Sequence, residues 1–217
     1  MIFKKKKIKN YKDLGPPVNV KENFSNLIFI TKIIKNLEYF VFFGTLLGLV
    51  RDNNLIKNDD DIDFYINIKE RSKLIAILKK NSVNIDLNLS INKEKCFLQA
   101  YRVINNKIAV IDFYFYENSL DDLYIIEKWN FEGITNDPSK YLRTPKIFTH
   151  PIKKINIKSH KINFPSKPEY VCEFLYGKNW TKKLKKDFDY TVKVLDGKPA
   201  MLHLKKNFFG KKKIFIN

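Results

Sequence analysis

Apolar and polar positions along this chain follow two periods, and the switches between them mark out its elements. From Val20 to about Leu37, Phe24, Leu27, Ile28, Ile30, Ile33, Ile34 and Leu37 recur at helical spacing and predict an amphipathic helix. Tyr39 to Phe43 is a short β-rich run, read as a central strand, and Thr45 to Val50 turns back as a helix. Ile62 to Ile68 alternates as a strand does, and Arg71 to Lys80 reads as an amphipathic helix. Strand-like runs follow at Asn84–Leu89, Phe97–Ile104, Ile108–Tyr116 and Leu123–Trp129, with Asn105-Asn106 placed as a hairpin turn between two of them. Ile155–Phe164 predicts two further short strands around Lys158–Lys161. Pro168 suits the first turn of a helix running to about Tyr176, with Gly177 as its stop. This order of elements predicts a mixed α/β (α+β) domain with a partly antiparallel sheet.

Length and composition narrow this picture without naming a chemistry. The 217 residues suit one domain, or one domain with a small appendage, and 44% hydrophobic and 14% aromatic residues suffice for a core. Residues 1–17 read as a basic leader ending at the break Gly15-Pro16-Pro17, residues 18–181 as the catalytic domain, and 182–217 as a Lys-rich extension packed on it. Cys96 and Cys172 lack CxxC spacing and are read as buried, reduced thiols. The longest apolar runs, such as Val41 to Val50, fall far short of the roughly 20 residues that span a bilayer. No apolar stretch follows Lys4–Lys7 as a secretory signal requires, so a cytoplasmic location is expected.

The formal net charge is +18, and only Arg51, Arg71, Arg102 and Arg143 of the 41 basic residues are arginines. Lys, Asn and Ile are abundant together, a pattern that genome-wide codon bias also produces. The functional alternative is attraction to an anionic surface, a phosphorylated glycan or a nucleotide. Nucleic acid is not expected as a partner, because no recognised binding motif accompanies the charge. Lys clusters at Lys182–Lys186 and Lys211–Lys213 suggest electrostatic contact with an anionic membrane, peripheral at its inner surface.

Against this basic background, Asp59-Asp60-Asp61-Ile62-Asp63 stands out. Asp61 and Asp63 share a face if their backbone is extended, and two such carboxylates can hold a hard divalent cation such as Mg²⁺. Asp112 is the best third ligand, as the one acid within the apolar run Ile108–Tyr114. Gly44-Thr45 follows the first strand and opens a helix, where Gly permits close approach of a phosphate and the helix N-terminus favours anions. Together these features describe a phosphoryl-transfer geometry. The plainer alternatives are a solvated acidic turn or a structural Ca²⁺ loop for the Asp run, a buried acid paired to Lys or Arg for Asp112, and a helix-end cation for Arg51. An EF-hand is excluded, since the Gly and Glu it needs are not at the required spacing. Tyr176 and Trp180 are read as packing residues. His150, His160 and His203 lack metal-ligand spacing and are read as structural.

Gly-Thr, then Asp-x-Asp, then one Asp on a later strand resembles the nucleotidyltransferase superfamily. Gly44-Thr45-Leu46-Leu47-Gly48, Arg51 and Asp59–Asp63 more specifically resemble the LicD/fukutin family of phosphotransferases, as does the later Tyr176-Gly177-Lys178-Asn179-Trp180. The family usually carries Pro-Trp before its Asp run, where this chain has Lys57-Asn58. The resemblance implies a nucleotidyltransferase-like mixed sheet flanked by helices. It also implies transfer of a phospho-alcohol group, such as phosphocholine or ribitol phosphate, from a CDP-activated donor to a glycan hydroxyl. By position, Asp61, Asp63 and Asp112 would ligate Mg²⁺ or Mn²⁺ and Asp59 would support them. Asp112 would also help deprotonate the acceptor, Gly44 and Thr45 would hold donor phosphates, and Arg51 would neutralise phosphate charge. Two other readings share the motif: a nucleotidyltransferase moving NMP from an NTP to a small molecule, protein or RNA, and an inactive basic binding module.

Overall fold

A computed structural model describes residues 15–91, 94–130, 133–134, 141–183, 191–194, 200–206 and 212–216. Most of the basic leader, together with Lys185, Lys186 and Lys211 of the two Lys clusters, lies outside these residues. The chain order is α1 (Val20–Ile33), β1 (Tyr39–Val41), α2 (Phe43–Asp52), β2 (Asp63–Asn67), α3 (Arg71–Lys80), β3 (Asn84–Ile91), β4 (Glu94–Ile104), β5 (Lys107–Asn118) and β6 (Tyr124–Glu127). There follow β7 (Trp129–Asn130), β8 (Gly133–Ile134), β9 (Leu142–Pro145), α4 (Lys146–Thr149), β10 (Lys153–Ile157), β11 (His160–Phe164), α5 (Pro168–Tyr176), β12 (Thr191–Val194), β13 (Ala200–Lys206) and β14 (Lys212–Ile216).

The central sheet runs β1-β2-β5-β4-β3. Only the β2–β5 pair is parallel; β1–β2, β5–β4 and β4–β3 are antiparallel, so the mixed, partly antiparallel sheet read from the sequence is present. Past Tyr114, where β4 ends its pairing, β6 takes the same edge of β5, and β9 extends the sheet beyond it. Asn105 and Asn106 join β4 to β5 with φ of 49° and 60°, the left-handed pair that a two-residue hairpin needs and that Asn tolerates. Lys158 and Ser159 turn the β10–β11 hairpin in the same way.

The first helix starts where its cap dictates. The Asn19 side chain accepts the Glu22 N–H at 2.9 Å, and the Glu22 carboxylate accepts the Asn19 N–H at 3.0 Å. It ends at Ile33, short of the expected Leu37, because Ile34 leaves the helical region and Leu37 caps a turn through its N–H to Ile34 O at 2.9 Å. Ile34 and Leu37 are buried all the same, which is why the apolar period ran past the helix end. Leu142–Thr149, assigned to no element from the sequence, forms β9 and α4.

Both faces of β2 and β5 are covered. Ile66, Phe113 and Phe115 are buried, with Phe64 stacked on Phe113 at 5.5 Å, and Tyr65, Tyr114 and Tyr116 are buried on the side that Asp63 and Asp112 share. Cys96 and Cys172 are buried free thiols, as expected. Among the described residues no helix is long and apolar enough to cross a membrane.

Candidate metal and phosphate site

The site begins at the junction of β1 and α2. Phe42 leaves the sheet with its N–H donated to Asp63 O at 3.1 Å. Phe43 then takes φ 41°, a left-handed conformation costly for a bulky residue, of order 1–3 kcal/mol. Its ring offsets that cost by packing at 4.9 Å from both Phe42 and Tyr114. The sharp turn aims the first turn of α2, carrying Gly44 and Thr45, at the start of β2. A Cβ on Gly44 would stand 2.9 Å from Asp59 Oδ2 and 3.4 Å from Asp63 Oδ2, so a side chain here would collide with the acidic loop.

Strand pairing and one side-chain contact fix the carboxylates. Asp63 and Asp112 are register partners on the parallel strands β2 and β5, which puts both side chains on one face. Ile62 already pairs with β5, through its N–H to Val110 O and its carbonyl to the Asp112 N–H, so Asp61 projects to the same side as Asp63. Asn23, buried on α1, pins this segment by donating its side-chain amide to Asp61 O at 3.0 Å. Ligand oxygens of Asp61, Asp63 and Asp112 consequently lie within 4.8 Å of one another, and Asp59, Asp60 and Asp61 form an adjoining group of the same kind.

Second partners hold the first set in place. The Thr45 hydroxyl accepts the Asp63 N–H at 2.8 Å, and the Thr45 N–H donates to Asp63 Oδ2 at 3.2 Å. Gln99, the register partner of Asp112 on β4, donates its side-chain amide to Asp112 Oδ1 at 2.8 Å. No cation pairs with Asp112 among the described residues; its fixed partner is a neutral amide, unlike the Lys or Arg pairing weighed from sequence. Burial, reinforced by the charges of Asp61, Asp112 and Asp59, pushes Asp63 well above the usual carboxylate range. Burial together with the charge of Asp60 raises Asp112 to about 6, against the hydrogen bonds from Gln99 and Tyr114. Acids buried against one another in this way form a group that could hold a cation. All-oxygen donors, with no His or Cys among them, fit a hard divalent ion.

Arg51 sits apart from this group. It occupies the last turn of α2, a position that the helix macrodipole favours for a cation, and a ten-residue helix is about 15 Å long. Its Nη2 bonds Asp52 Oδ2 at 3.0 Å, and Lys183 reaches the same carboxylate at 3.1 Å. The structure therefore gathers Gly44, Thr45, Asp59, Asp61, Asp63 and Asp112 and leaves Arg51 at the far end of the helix. Tyr176 and Trp180 are half-buried against the core, as packing residues.

Sequence reasoning passed over Gln99, Asn23 and Glu127. Glu127 is fully buried beneath the carboxylates: Tyr65 donates its hydroxyl to Oε2, and Oε1 has no partner among the described residues. Burial drives its carboxyl well above its ordinary value. The signal was available, because Glu127 closes the apolar run Tyr124-Ile125-Ile126 much as Asp112 interrupts its own.

A family model described as LicD/FKTN/FKRP, nucleotidyltransferase domain, matches residues 36–167, more than half of the chain, including Gly44, Thr45 and all the carboxylates just described. No curated protein sequence matches. Among solved structures, a lincosamide antibiotic adenylyltransferase, LnuA, bound to lincomycin, is similar at TM-score 0.50 and 15% identity, over 78% of this chain and 92% of that one. An ANT(2")-Ia structure in complex with adenylyl-2"-tobramycin aligns at TM-score 0.38 and 14% identity, over 67% and 69%. The first likeness establishes a shared nucleotidyltransferase-like fold.

Proposed function

Since the chain belongs to the LicD/FKTN/FKRP nucleotidyltransferase-domain family, we propose that this transferase moves a phospho-alcohol group, of phosphocholine or phospho-alditol type, from a CDP-activated donor to a glycan hydroxyl. The observation that carries the reading is the convergence of Asp61, Asp63 and Asp112 beside the opening turn of α2. In that reading the three aspartates hold Mg²⁺ or Mn²⁺, which would supply charge neutralisation for the donor phosphates. Asp59 supports the cluster from its place over Gly44.

The chain's own groups account for the remaining work. Gly44, with no side chain, lets the acidic loop close against the first turn of α2, where the peptide dipoles favour the negative charge of carboxylates and of a donor phosphate. Thr45 keeps Asp63 in a single orientation through its hydrogen bonds to both the backbone and the carboxylate. Asp112, oriented by Gln99, accepts the proton of the acceptor hydroxyl as its oxygen attacks the phosphorus that carries the alcohol. The phosphoanhydride bond to CMP breaks, CMP departs with the bonding electrons, and the new phosphodiester remains on the glycan. Arg51 joins this scheme by exchanging Asp52 for a donor phosphate oxygen. Soluble CDP-linked donors suit a cytoplasmic enzyme, and its basic surface suits an anionic membrane or acceptor nearby.

The test is incubation with a panel of CDP-linked alcohols, a glycan acceptor and Mg²⁺ or Mn²⁺, following CMP. Release of CMP that Asp61→Ala abolishes supports the reading. Pyrophosphate released from an NTP instead would assign NMP transfer. A flat calorimetric titration with both metals would reduce the protein to a binding module.

A further inference from the structure

At the far end of β1 from the carboxylates lies a cavity of about 310 Å³ between the end of α1 and the β10–β11 hairpin. Tyr39, the first residue of β1, forms part of its wall, and about 10 Å of extended chain separates Tyr39 from Phe42 at the catalytic turn. Lys32, Lys35, Lys154, Lys161 and His160 all line it, and no carboxylate does. We propose that this cavity is a second anion site, one that takes a phosphate-bearing group of about sugar-phosphate size.

The hairpin brings two of these lysines to the cavity together. The β10–β11 register pairs Lys154 with Asn163 and Asn156 with Lys161, which sets both lysines on one face of the hairpin. That hairpin is fastened beside β1 by the Asn163 side-chain amide, which donates to Tyr39 O at 3.1 Å. None of the four cavity lysines enters an ion pair with a described residue. Lys158, one turn away on the same hairpin, behaves otherwise: it donates to Asn54 Oδ1 at 3.0 Å and lies 4.7 Å over the Phe24 ring. The helix macrodipole accounts for Lys32 in the last turn of α1, but not for two lysines aimed from the hairpin into the same space.

Like charges gathered on a concave surface focus the field there and raise the local concentration of anions. Four ammonium groups offer donors that no described residue takes up in an ion pair, while Ile28 and the largely buried Tyr39 supply an apolar wall for a sugar or glycerol moiety. A phosphate ester matches both parts. It could belong to a soluble or glycan-linked phosphate, or to a lipid headgroup. The site does not depend on the reaction assigned above.

The test needs no turnover. Binding of sn-glycerol 3-phosphate to the full chain is followed by calorimetry, and binding to phosphatidylcholine vesicles doped with phosphatidylglycerol by sedimentation. The wild type is compared with a Lys154→Gln/Lys161→Gln pair and with a Lys79→Gln/Lys80→Gln pair, which removes equal charge from exposed positions on α3. Loss of two charge-assisted contacts is expected to weaken binding about tenfold or more in the first pair and little in the second. Loss confined to the soluble ester assigns a soluble phosphate, and loss of vesicle binding assigns a headgroup. Equal losses in both pairs, or no binding by the wild type in either assay, would overturn the proposal.

Discussion

Thr45 and Asp63 are bound to each other three times, the hydroxyl accepting the aspartate N–H at 2.8 Å and donating to Oδ2 at 3.5 Å, and the Thr45 N–H donating to the same oxygen at 3.2 Å. One residue thus fixes both the backbone and the side chain of a buried carboxylate. Thr45→Val keeps the shape of the side chain but leaves the Asp63 N–H without an acceptor, at a cost of about 1–3 kcal/mol. Turnover should fall about 10- to 100-fold with it, as when the support of a metal ligand is lost. Thr45→Ser should restore most of both, measured by urea unfolding and by product release.

Gly44 should separate stability from metal binding. Its φ is not in the left-handed region, so alanine suits the helix better than glycine does, by roughly 0.5–1 kcal/mol. The added Cβ, however, meets Asp59 Oδ2 at 2.9 Å. Gly44→Ala is expected to melt no lower than the wild type while binding Mn²⁺ about tenfold more weakly in calorimetry. An unchanged Mn²⁺ affinity would show that Asp59 does not support the site.

Asp112→Asn should stabilise the metal-free protein and inactivate it. The folded-state pKa of Asp112 is raised to about 6, from an ordinary value of 3.8. A raised carboxyl pKa means that the unfolded state ionises first as pH climbs, so this group withdraws stability between about pH 4 and 6 and leaves the deficit in place above. Asparagine cannot ionise and can still accept the Gln99 hydrogen bond. At pH 7.5 in EDTA the variant should melt about 5 °C above the wild type, and added Mn²⁺ should close or reverse that gap.

Glu127 gives the same sign at a place with no part in metal binding. Its carboxyl is raised by burial, so folding favours the protonated acid, and stability should decline as pH rises past the ordinary glutamate range. Glu127→Gln removes that decline and keeps an acceptor for the Tyr65 hydroxyl. Urea midpoints of metal-free protein, followed from pH 4 to 8, should fall less steeply in the variant.

The parts of this site legible in the sequence are those where chemistry contradicts its surroundings. Asp112 showed itself as an acid in an apolar run, and its phase came out right because β2 and β5 pair with Asp63 opposite Asp112. Asn105-Asn106 and Pro168–Gly177 were readable because turns and helix ends select residues locally. Gln99 was hidden, since an amide in a strand looks ordinary until its cross-strand partner is known. The surroundings of Arg51 were legible only in part, since Asp52 adjoins it in the chain while Lys183, which reaches the same carboxylate, lies far along the sequence. The helical period that ran on to Leu37 records burial rather than helix.

The parallel pairing of β2 with β5 also has a kinetic side. Asp61 and Asp63 precede α3, β3 and β4, and Asp112 follows them, so the three carboxylates cannot meet until the chain between them has closed and β5 has docked against β2. Contacts this distant along the chain form slowly, because the loop must close before they reward it. A nascent chain that has emerged only as far as β4 carries Asp61 and Asp63 and lacks Asp112. Formation of the Asp61–Asp63–Asp112 group therefore reports, in a refolding experiment, the moment at which β5 docks against β2.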